Sequence, residues 1–168
     1  MITEETVVVT GVTSGVGLAC ARKLIAHGNN VIGIGRRQAR LEALGNELGN
    51  DFYPMPCDVR DADDLRARLA ALPERFRGFS KLINSAGLLQ GQGSLLEVTP
   101  TQISSMLDTN INGLVNATRA VLPQLMESGR GHIVNLTSIG AHLHYVGGHV
   151  YAASKAFVDH FGRCLRTE

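Results

Sequence analysis

Residues 10–17 read T-G-V-T-S-G-V-G and decide the fold that this sequence predicts. The β-branched run before them, residues 6–9, is short enough for a buried parallel strand, and residues 18–27 after them carry apolar side chains at helical spacing. A strand, a glycine-rich turn and a helix in this order form the context that a dinucleotide-binding loop requires. The alternative is an ordinary tight turn between a strand and a helix.

The three glycines of this turn each have a physical reason in such a loop. Gly11 and Gly15 let the backbone turn tightly and approach a pyrophosphate, and Gly17 lets the helix lie close to the sheet. The free N–H groups and the positive end of the helix then face the phosphates. The residues predicted to bind a dinucleotide here are Gly11, Thr13, Ser14, Gly15, Val16 and Gly17.

The composition bounds the class of protein. With 168 residues, 44% of them hydrophobic, the chain suits one domain over residues 1–168. Lys and Arg number 16 against 15 Asp and Glu, so no basic surplus indicates nucleic acid or an acidic membrane as partner. Residues 1–5 are acidic and lack a signal-peptide layout, and Cys20, Cys57 and Cys164 predict free thiols. We therefore expect a soluble cytoplasmic domain.

The rest of the chain alternates predicted strands and helices, which favours a doubly wound α/β (Rossmann) fold with a parallel sheet of order 3-2-1-4-5. Pro54 and Pro56 confine the third strand to an edge of that sheet. The further predicted strands are residues 31–35, 52–57, 81–83 and 132–136, and the further predicted helices are residues 39–48, residues 61–72, a long helix that opens at Thr99 and Pro100, and one from near Val150.

The end of the second predicted strand indicates which dinucleotide is bound. A free ribose 2′-hydroxyl requires an Asp or Glu there, whereas a 2′-phosphate requires a cation. Gly35 is followed by Arg36 and Arg37, with no carboxylate before Glu42. A guanidinium matches phosphate oxygens two at a time, so the pair favours NADP(H) over NAD. The alternative is a solvated basic turn at the start of the next helix.

Two further strand ends carry candidate cofactor contacts. Asp58, with Val59, follows the third strand and could accept a hydrogen bond from the adenine amino group, or it could cap the helix over residues 61–72. Small residues after the fourth strand leave room for a cofactor against the backbone. The residues concerned there are Asn84, Ala86 and Gly87.

Polar residues of the second half could supply the chemistry. Asn110 lies in the middle of the long helix, and is either a core asparagine or a site residue. Ser138 follows the fifth strand, and Tyr151 and Lys155 lie one helical turn apart. An ammonium about 4 Å from a phenol favours the phenolate by up to ~4 kcal/mol, which suits proton transfer. The alternative is that Tyr151 and Lys155 form an ordinary surface pair. Tyr145 has no lysine four residues later, since His149 occupies that position.

A metal site is a weaker hypothesis for the loop after the fifth strand. His142, His144 and His149 lie in this loop, but no carboxylate or cysteine joins them nearby. We therefore expect no metal site, and polar loop residues that border a substrate pocket instead.

Together these motifs resemble the short-chain dehydrogenases/reductases over essentially the whole chain. The resemblance implies that Tyr151 is the general acid/base, that Ser138 orients the substrate, and that Lys155 anchors the nicotinamide ribose and favours the phenolate. It implies further that Asn110 holds a water molecule in a proton relay. Ser85 departs from the second Asn of the family's Asn-Asn-Ala-Gly motif, a small polar change that should not prevent cofactor binding.

Residues 35–41, 57–60, 119–123, 147–151 and 155–158 narrow the resemblance to NADP-dependent 3-hydroxy acid dehydrogenases that act on serine and L-allo-threonine. This implies an NADP(H)-dependent oxidoreductase that interconverts a secondary alcohol and a ketone on a small 3-hydroxy acid. The alternatives are a 3-oxoacyl thioester reductase or other carbonyl reductase, and a nucleotide-binding module without activity.

The helix that starts near Tyr151 keeps its apolar periodicity to the last turn, and Thr167 and Glu168 follow without a cap. Family members continue into a sixth and a seventh strand and a substrate lid, and form homodimers or homotetramers through this helix. We therefore expect a chain shortened within that helix, with the fifth strand as an exposed edge.

Overall fold

The computed structural model describes residues 5–91 and 93–167, so the first four residues of the predicted acidic start at residues 1–5 lie outside the described residues, as does Glu168. No described helix is long and apolar enough to cross a membrane. The strands are β1 (Thr6–Thr10), β2 (Asn30–Gly35), β3 (Phe52–Pro56), β4 (Lys81–Asn84) and β5 (His132–Asn135). The helices are α1 (Gly15–Ala26), α2 (Gln38–Leu48), α3 (Ala62–Ala70), α4 (Pro100–Leu107), α5 (Gly113–Glu127) and α6 (His149–Leu165).

The strands form one parallel sheet of order β3-β2-β1-β4-β5, which confirms the predicted doubly wound topology. β1 lies in the centre, where Val8 pairs with Ile32 of β2 and with Leu82 of β4. The order reverses at β1, because the chain moves first toward β3 and then returns to the other side through β4. In such sheets, ligands bind where the order reverses, beyond the carboxyl ends of the strands.

Apolar layers cover both faces of the sheet, because successive side chains of a strand point to opposite faces. Val8 is buried in one layer with Leu65 of α3 and Val121 of α5. Val9 is buried in the other layer with Ala21 of α1. Helices on both faces therefore fix the sheet and leave the carboxyl ends of its strands for function.

The two outer strands differ in composition. β3 carries Pro54 and Pro56 and pairs only with β2 among the described residues, as predicted for an edge. β5 pairs only with β4 in the same part of the chain, and its Val134 is 41% exposed. The described residues form no sixth or seventh strand, which agrees with the expectation of an exposed fifth strand.

The long helix predicted to open at Thr99 is interrupted. A π-helical segment, Asp108–Asn112, joins α4 to α5 and contains Asn110. The sequence has no glycine or proline inside this segment, and the interruption coincides with tertiary hydrogen bonds of the Asn110 side chain that local propensity does not reveal. Pro123 lies inside α5, where a proline removes one backbone hydrogen bond and favours a kink.

Thr99 caps the start of α4, where the sequence predicted that the helix opens. Thr99 Oγ1 accepts a hydrogen bond from the N–H of Gln102, and the Gln102 side chain accepts one from the N–H of Thr99, while Pro100 occupies the first helical position. This reciprocal arrangement satisfies two backbone donors that a helix otherwise leaves free.

We expect Thr99→Ala to lower the free energy of unfolding by about 1 kcal/mol, because it removes this cap. Thr101→Ala is the matched control, since Thr101 is exposed in the first turn of the same helix. Urea denaturation of both variants measures the difference. Equal losses would contradict a capping role for Thr99.

Candidate active site

The turn after β1 is bound directly to the segment after β4. Thr10 Oγ1 accepts hydrogen bonds from the backbone N–H groups of Ser85 (3.1 Å) and Ala86 (3.0 Å). Gly11 lies beside them with a φ of +68°, and a Cβ there would lie 2.8 Å from the backbone N and Cα of Ala86. A side chain at position 11 would therefore combine an unfavourable backbone conformation with a steric clash.

α1 begins close to this turn and presents free donors. A Cβ on Gly17 would lie 2.7 Å from the carbonyl oxygen of Gly11, so glycine permits the close packing that was predicted. Ser14 is the N-cap residue, but its side chain makes no capping hydrogen bond. The first N–H groups of α1 are therefore not capped by a side chain and can bind an anion.

Arg37 is fastened to the same turn. Its Nε and Nη2 atoms donate to Thr13 Oγ1 (3.0 and 2.6 Å), and Nη2 also donates to Ser14 Oγ (2.8 Å). Desolvation, followed by the positive charges of Arg40 and Arg36, lowers the pKa of Arg37. Two cationic side chains thus follow β2 as predicted, and one of them is already oriented against the glycine turn.

Asp58 is held by neighbouring arginines. Its carboxylate accepts hydrogen bonds from the N–H and guanidinium of Arg60 (2.6–3.0 Å) and lies 4.0 Å from Arg36 Nη1. Burial alone would raise the pKa of Asp58, but the Arg60 hydrogen bonds outweigh it and the pKa is lowered. The alternative that Asp58 caps the next helix is wrong, because the N-cap of α3 is Asp61.

One cavity of about 560 Å³ joins these groups at the carboxyl ends of the strands. Among the described residues, four of the predicted site residues do not line it, namely Gly17, Asn84, Asn110 and Ser138. The predicted site residues that do line it are Gly11, Thr13, Ser14, Gly15, Val16, Arg36, Arg37, Asp58, Val59, Ala86, Gly87, Tyr151 and Lys155.

Lys155 places a buried ammonium in this cavity. The residue is only 7% exposed, and its Nζ donates to the carbonyl oxygen of Leu136 (2.8 Å). Nζ lies 5.9 Å from the centroid of the Tyr151 ring, so α6 brings the predicted pair together. Burial lowers the pKa of Lys155. The alternative of a surface pair is wrong for Lys155, because its side chain is inside the protein.

Asn110 is 1% exposed, and all three of its side-chain hydrogen-bonding functions have partners. Oδ1 accepts from the N–H of Leu88 (2.8 Å), while Nδ2 donates to the Leu88 carbonyl oxygen (2.9 Å) and to Ser154 Oγ (3.0 Å). These contacts agree with the core-asparagine alternative, and they also join the segment after β4 to α6. The predicted part in a proton relay stays a prediction.

Asn84 connects structural elements. Its Nδ2 donates to Thr118 Oγ1 of α5 (3.0 Å) and to Asn135 Oδ1 of β5 (2.9 Å). The side chain is therefore engaged by the sheet and α5, while the following residues, Ala86 and Gly87, line the cavity.

Ser138 ends the segment after β5 and caps a 3₁₀ turn, Ile139–Ala141. Its Oγ accepts from the N–H of Gly140 (3.1 Å). The preceding Thr137 lines the cavity, and its Oγ1 donates to the Lys155 carbonyl oxygen (2.9 Å). Contact of Ser138 with a substrate stays a prediction.

The loop that carries His142, His144 and His149 lines a second cavity, also of about 560 Å³. The two ring nitrogens of His149 contact the Val150 N–H (3.0 Å) and the Gly93 carbonyl oxygen (3.2 Å), so both are engaged by the backbone. Within residues 5–91 and 93–167, no three His, Cys, Asp or Glu side chains converge in a group that could hold a metal ion. His142 and His144 are exposed loop residues beside this cavity.

Sequence reasoning missed part of the lining. The buried Thr109 Oγ1 has no hydrogen-bond partner in the described part of the chain and lines the first cavity. Cys57 lines it as well, and burial foremost raises the pKa of its thiol to about 12, so the thiol stays protonated. The available signal in the sequence was that Cys57 directly follows β3 and that Thr109 directly precedes Asn110. The other lining residues not predicted are Ile34, Gly35, Ser85, Leu88, Leu89, Leu136 and Thr137.

These features define a doubly wound α/β protein with a glycine turn, an arginine pair and a tyrosine–lysine pair around one cavity. The profile of the family described as short chain dehydrogenase matches residues 5–168. The chain therefore belongs to the short-chain dehydrogenase family, as the resemblance indicated.

Named relatives show which members of this family the chain is similar to. The chain is 45% identical over 163 residues to serine 3-dehydrogenase of Agrobacterium fabrum. It is 43% identical over 162 residues to the NADP-dependent 3-hydroxy acid dehydrogenase YdfG of Escherichia coli K12. The matches cover 97% and 96% of this chain, but it spans only 65% of the length of each relative. The closed form of serine dehydrogenase complexed with NADP⁺ superposes with a TM-score of 0.94 at 42% identity, covering 96% of this chain and 65% of that chain.

We expect Gly11→Ala to lower the free energy of unfolding by at least ~2 kcal/mol more than Gly28→Ala does. Both glycines have positive φ, +68° and +77°, but a Cβ at position 28 would meet nothing within 4 Å. The control therefore isolates the clash with Ala86 from backbone strain. Chemical denaturation measures both, and equal losses would show that the approach to Ala86 is not tight.

Proposed function

We propose that this chain binds NADP(H) and serves an oxidoreductase that interconverts a secondary alcohol and a ketone, with a small 3-hydroxy acid such as serine or L-allo-threonine as substrate. The observation that carries the proposal is the position of Tyr151 beside the buried Lys155 ammonium, in the cavity that the glycine turn and both arginines line. Relatives named for these activities support it.

The residues present fit a dinucleotide. The close approach at Gly11 and the uncapped N–H groups of α1 suit a pyrophosphate. Thr109 Oγ1, buried without a partner among the described residues, offers a hydroxyl to a ligand in the cavity. Arg36 and Arg37 suit a 2′-phosphate, with Asp58 and Val59 at the adenine end.

The proposed chemistry is divided between cofactor and protein. When bound, a nicotinamide dinucleotide accepts or supplies the hydride. Tyr151 takes the proton from the substrate hydroxyl in the oxidation and returns it to the ketone oxygen in the reduction. The Lys155 ammonium favours the phenolate and can bind the ribose, while the Ser138 hydroxyl would orient the same substrate oxygen. Because the Asn110 side chain is fully engaged by Leu88 and Ser154, a part of this residue in a proton relay would require a group other than its side chain.

We further propose that residues 1–168 act as one domain in the cytoplasm and that copies associate through α6. Phe157 and Phe161 stack on this helix with ring centroids 5.8 Å apart, and Phe157 is 38% exposed. An aromatic pair of this kind supports a contact surface between copies.

We expect Tyr151→Phe to lower kcat at least ~100-fold and to leave the Kd for NADPH within about threefold of wild type, because it removes only the proton-transfer group. Tyr145→Phe is the matched control, since Tyr145 packs on Gly148 in the neighbouring loop. Steady-state oxidation of L-serine, L-allo-threonine and other hydroxy acids, with 3-oxoacyl thioester reduction in parallel, measures turnover. Activity of Tyr151→Phe close to wild type would refute the proton role.

The double variant Arg36→Ala/Arg37→Ala should reduce the ratio of NADPH to NADH affinity at least about tenfold, because it removes the groups proposed for the 2′-phosphate. Arg66→Ala/Arg68→Ala removes the same charge from α3, outside the cavity, and should leave the ratio unchanged. Isothermal titration calorimetry with both dinucleotides measures the ratio. A wild-type ratio in the first variant would contradict NADP specificity through these residues.

A further inference from the structure

Ser154 is the residue before Lys155 and is completely buried. We propose that Ser154 is a positioning residue, which holds the helix that carries Tyr151 and Lys155 against the segment after β4 through a hydrogen-bonded link to Asn110. Its effect on turnover rests on the proposed function, whereas its effect on the structure does not.

The link has a fixed direction. Leu88 offers Asn110 one donor and one acceptor, so the amide can bind it in only one orientation, with Oδ1 toward the N–H (2.8 Å) and Nδ2 toward the carbonyl oxygen (2.9 Å). The second Nδ2 hydrogen then points to Ser154 Oγ (3.0 Å). Since Ser154 accepts there, its own hydroxyl hydrogen is free for the Tyr151 carbonyl oxygen, which lies at 2.7 Å. Each donated hydrogen of the link therefore has a single acceptor.

The link lies next to the reactive cation. A Cβ placed on Gly87 would lie 3.3 Å from both Asn110 Oδ1 and Lys155 Nζ, so the amide and the ammonium both adjoin Gly87. Ser154 and Lys155 are adjacent in α6, and the Thr137 hydroxyl donates to the Lys155 carbonyl oxygen (2.9 Å). The helix is thus held by one hydroxyl from the segment after β5 and, through Ser154, by the segment after β4.

Loss of the Ser154 hydroxyl leaves one Asn110 donor without its acceptor in a dry site. The first turns of α6 can then shift relative to Gly87, and the Lys155 ammonium, which depends on this fit for its burial, becomes accessible. The same shift changes the distance between Lys155 and Tyr151 without altering either side chain.

The first experiment measures Lys155 accessibility in the chain without any dinucleotide. Wild type and Ser154→Ala are treated with limiting acetic anhydride, and acetylation of Lys155 is quantified by mass spectrometry relative to the exposed Lys23. We expect Lys155 to react about tenfold faster in Ser154→Ala.

Thr118→Val is the matched control. Thr118 is 1% exposed, donates to the Leu114 carbonyl oxygen (2.8 Å) and accepts from the Asn84 amide (3.0 Å), so it repeats the bonding pattern of Ser154 elsewhere in the core. Thr118→Val should lower the free energy of unfolding about as much as Ser154→Ala does. Its Lys155 should nevertheless be acetylated at the wild-type rate. Equal Lys155 rates in the two variants would overturn the proposal.

Hydrogen exchange of the wild-type protein keeps the link testable if Ser154→Ala does not fold. The Leu88 amide lies between the exposed residues Gly87 and Leu89, yet it donates to Asn110. We expect it to exchange at least about tenfold more slowly than both neighbours. Exchange at the neighbours' rate would overturn the link.

Steady-state kinetics then distinguish the positioning role of Ser154 from the proposed oxidoreductase function. Ser154→Ala should lower kcat about tenfold while KM and the Kd for NADPH change less than about threefold, because positioning of the proton-transfer pair is lost and binding is kept. An unchanged kcat together with fast Lys155 acetylation would overturn the positioning role. A wild-type chain that neither binds NADPH nor turns over would refute the proposed function but leave the acetylation and exchange results standing.

Discussion

The structure depends on the contact between the turn after β1 and the segment after β4. One hydroxyl, Thr10 Oγ1, accepts two backbone N–H groups across the point where the strand order reverses. The absence of a side chain at Gly11 lets the two backbones meet there. Because these chain segments come from the two halves of the sheet, this contact sets the width of the crevice in which every later element of the site lies.

The charged groups of the cavity differ between its two ends. At the β2 and β3 end, Arg37 is oriented by the hydroxyls of the glycine turn, and Asp58 is held ionised by Arg60. At the β5 end, Lys155 is a single buried ammonium, whose pKa burial lowers. An exposed arginine held by neutral hydroxyls suits a phosphate that must bind and leave, whereas a buried lysine fixed by a carbonyl oxygen suits a charge that must act at one distance.

The sequence was most informative where function follows from local geometry. Strand and turn composition were enough for the sheet order, for Gly11 and Gly17, and for the pairing of Tyr151 with Lys155 across one turn of α6. It was least informative where a side chain has its partner far away in the chain. The π-helical segment, the contacts of Asn84 with α5 and β5, and Ser154 beneath Lys155 all depend on such contacts, and a single polar residue in an apolar pattern does not say which way it bonds.

The π-helical segment also determines what a change of chain length at this position would affect. Each residue of an α-helix turns the chain by about 100°, and a π turn takes up one extra residue in a wider turn, so the helix after it keeps its rotational phase. Deleting one residue between Asp108 and Asn112 would therefore restore a regular helix and keep the buried stripe of α5 toward the sheet, but it would remove the turn that presents Asn110 to Leu88 and Ser154. The irregularity is therefore tied to the contacts of Asn110 and not to the packing of α5, so loss of one residue here would affect the site before the core.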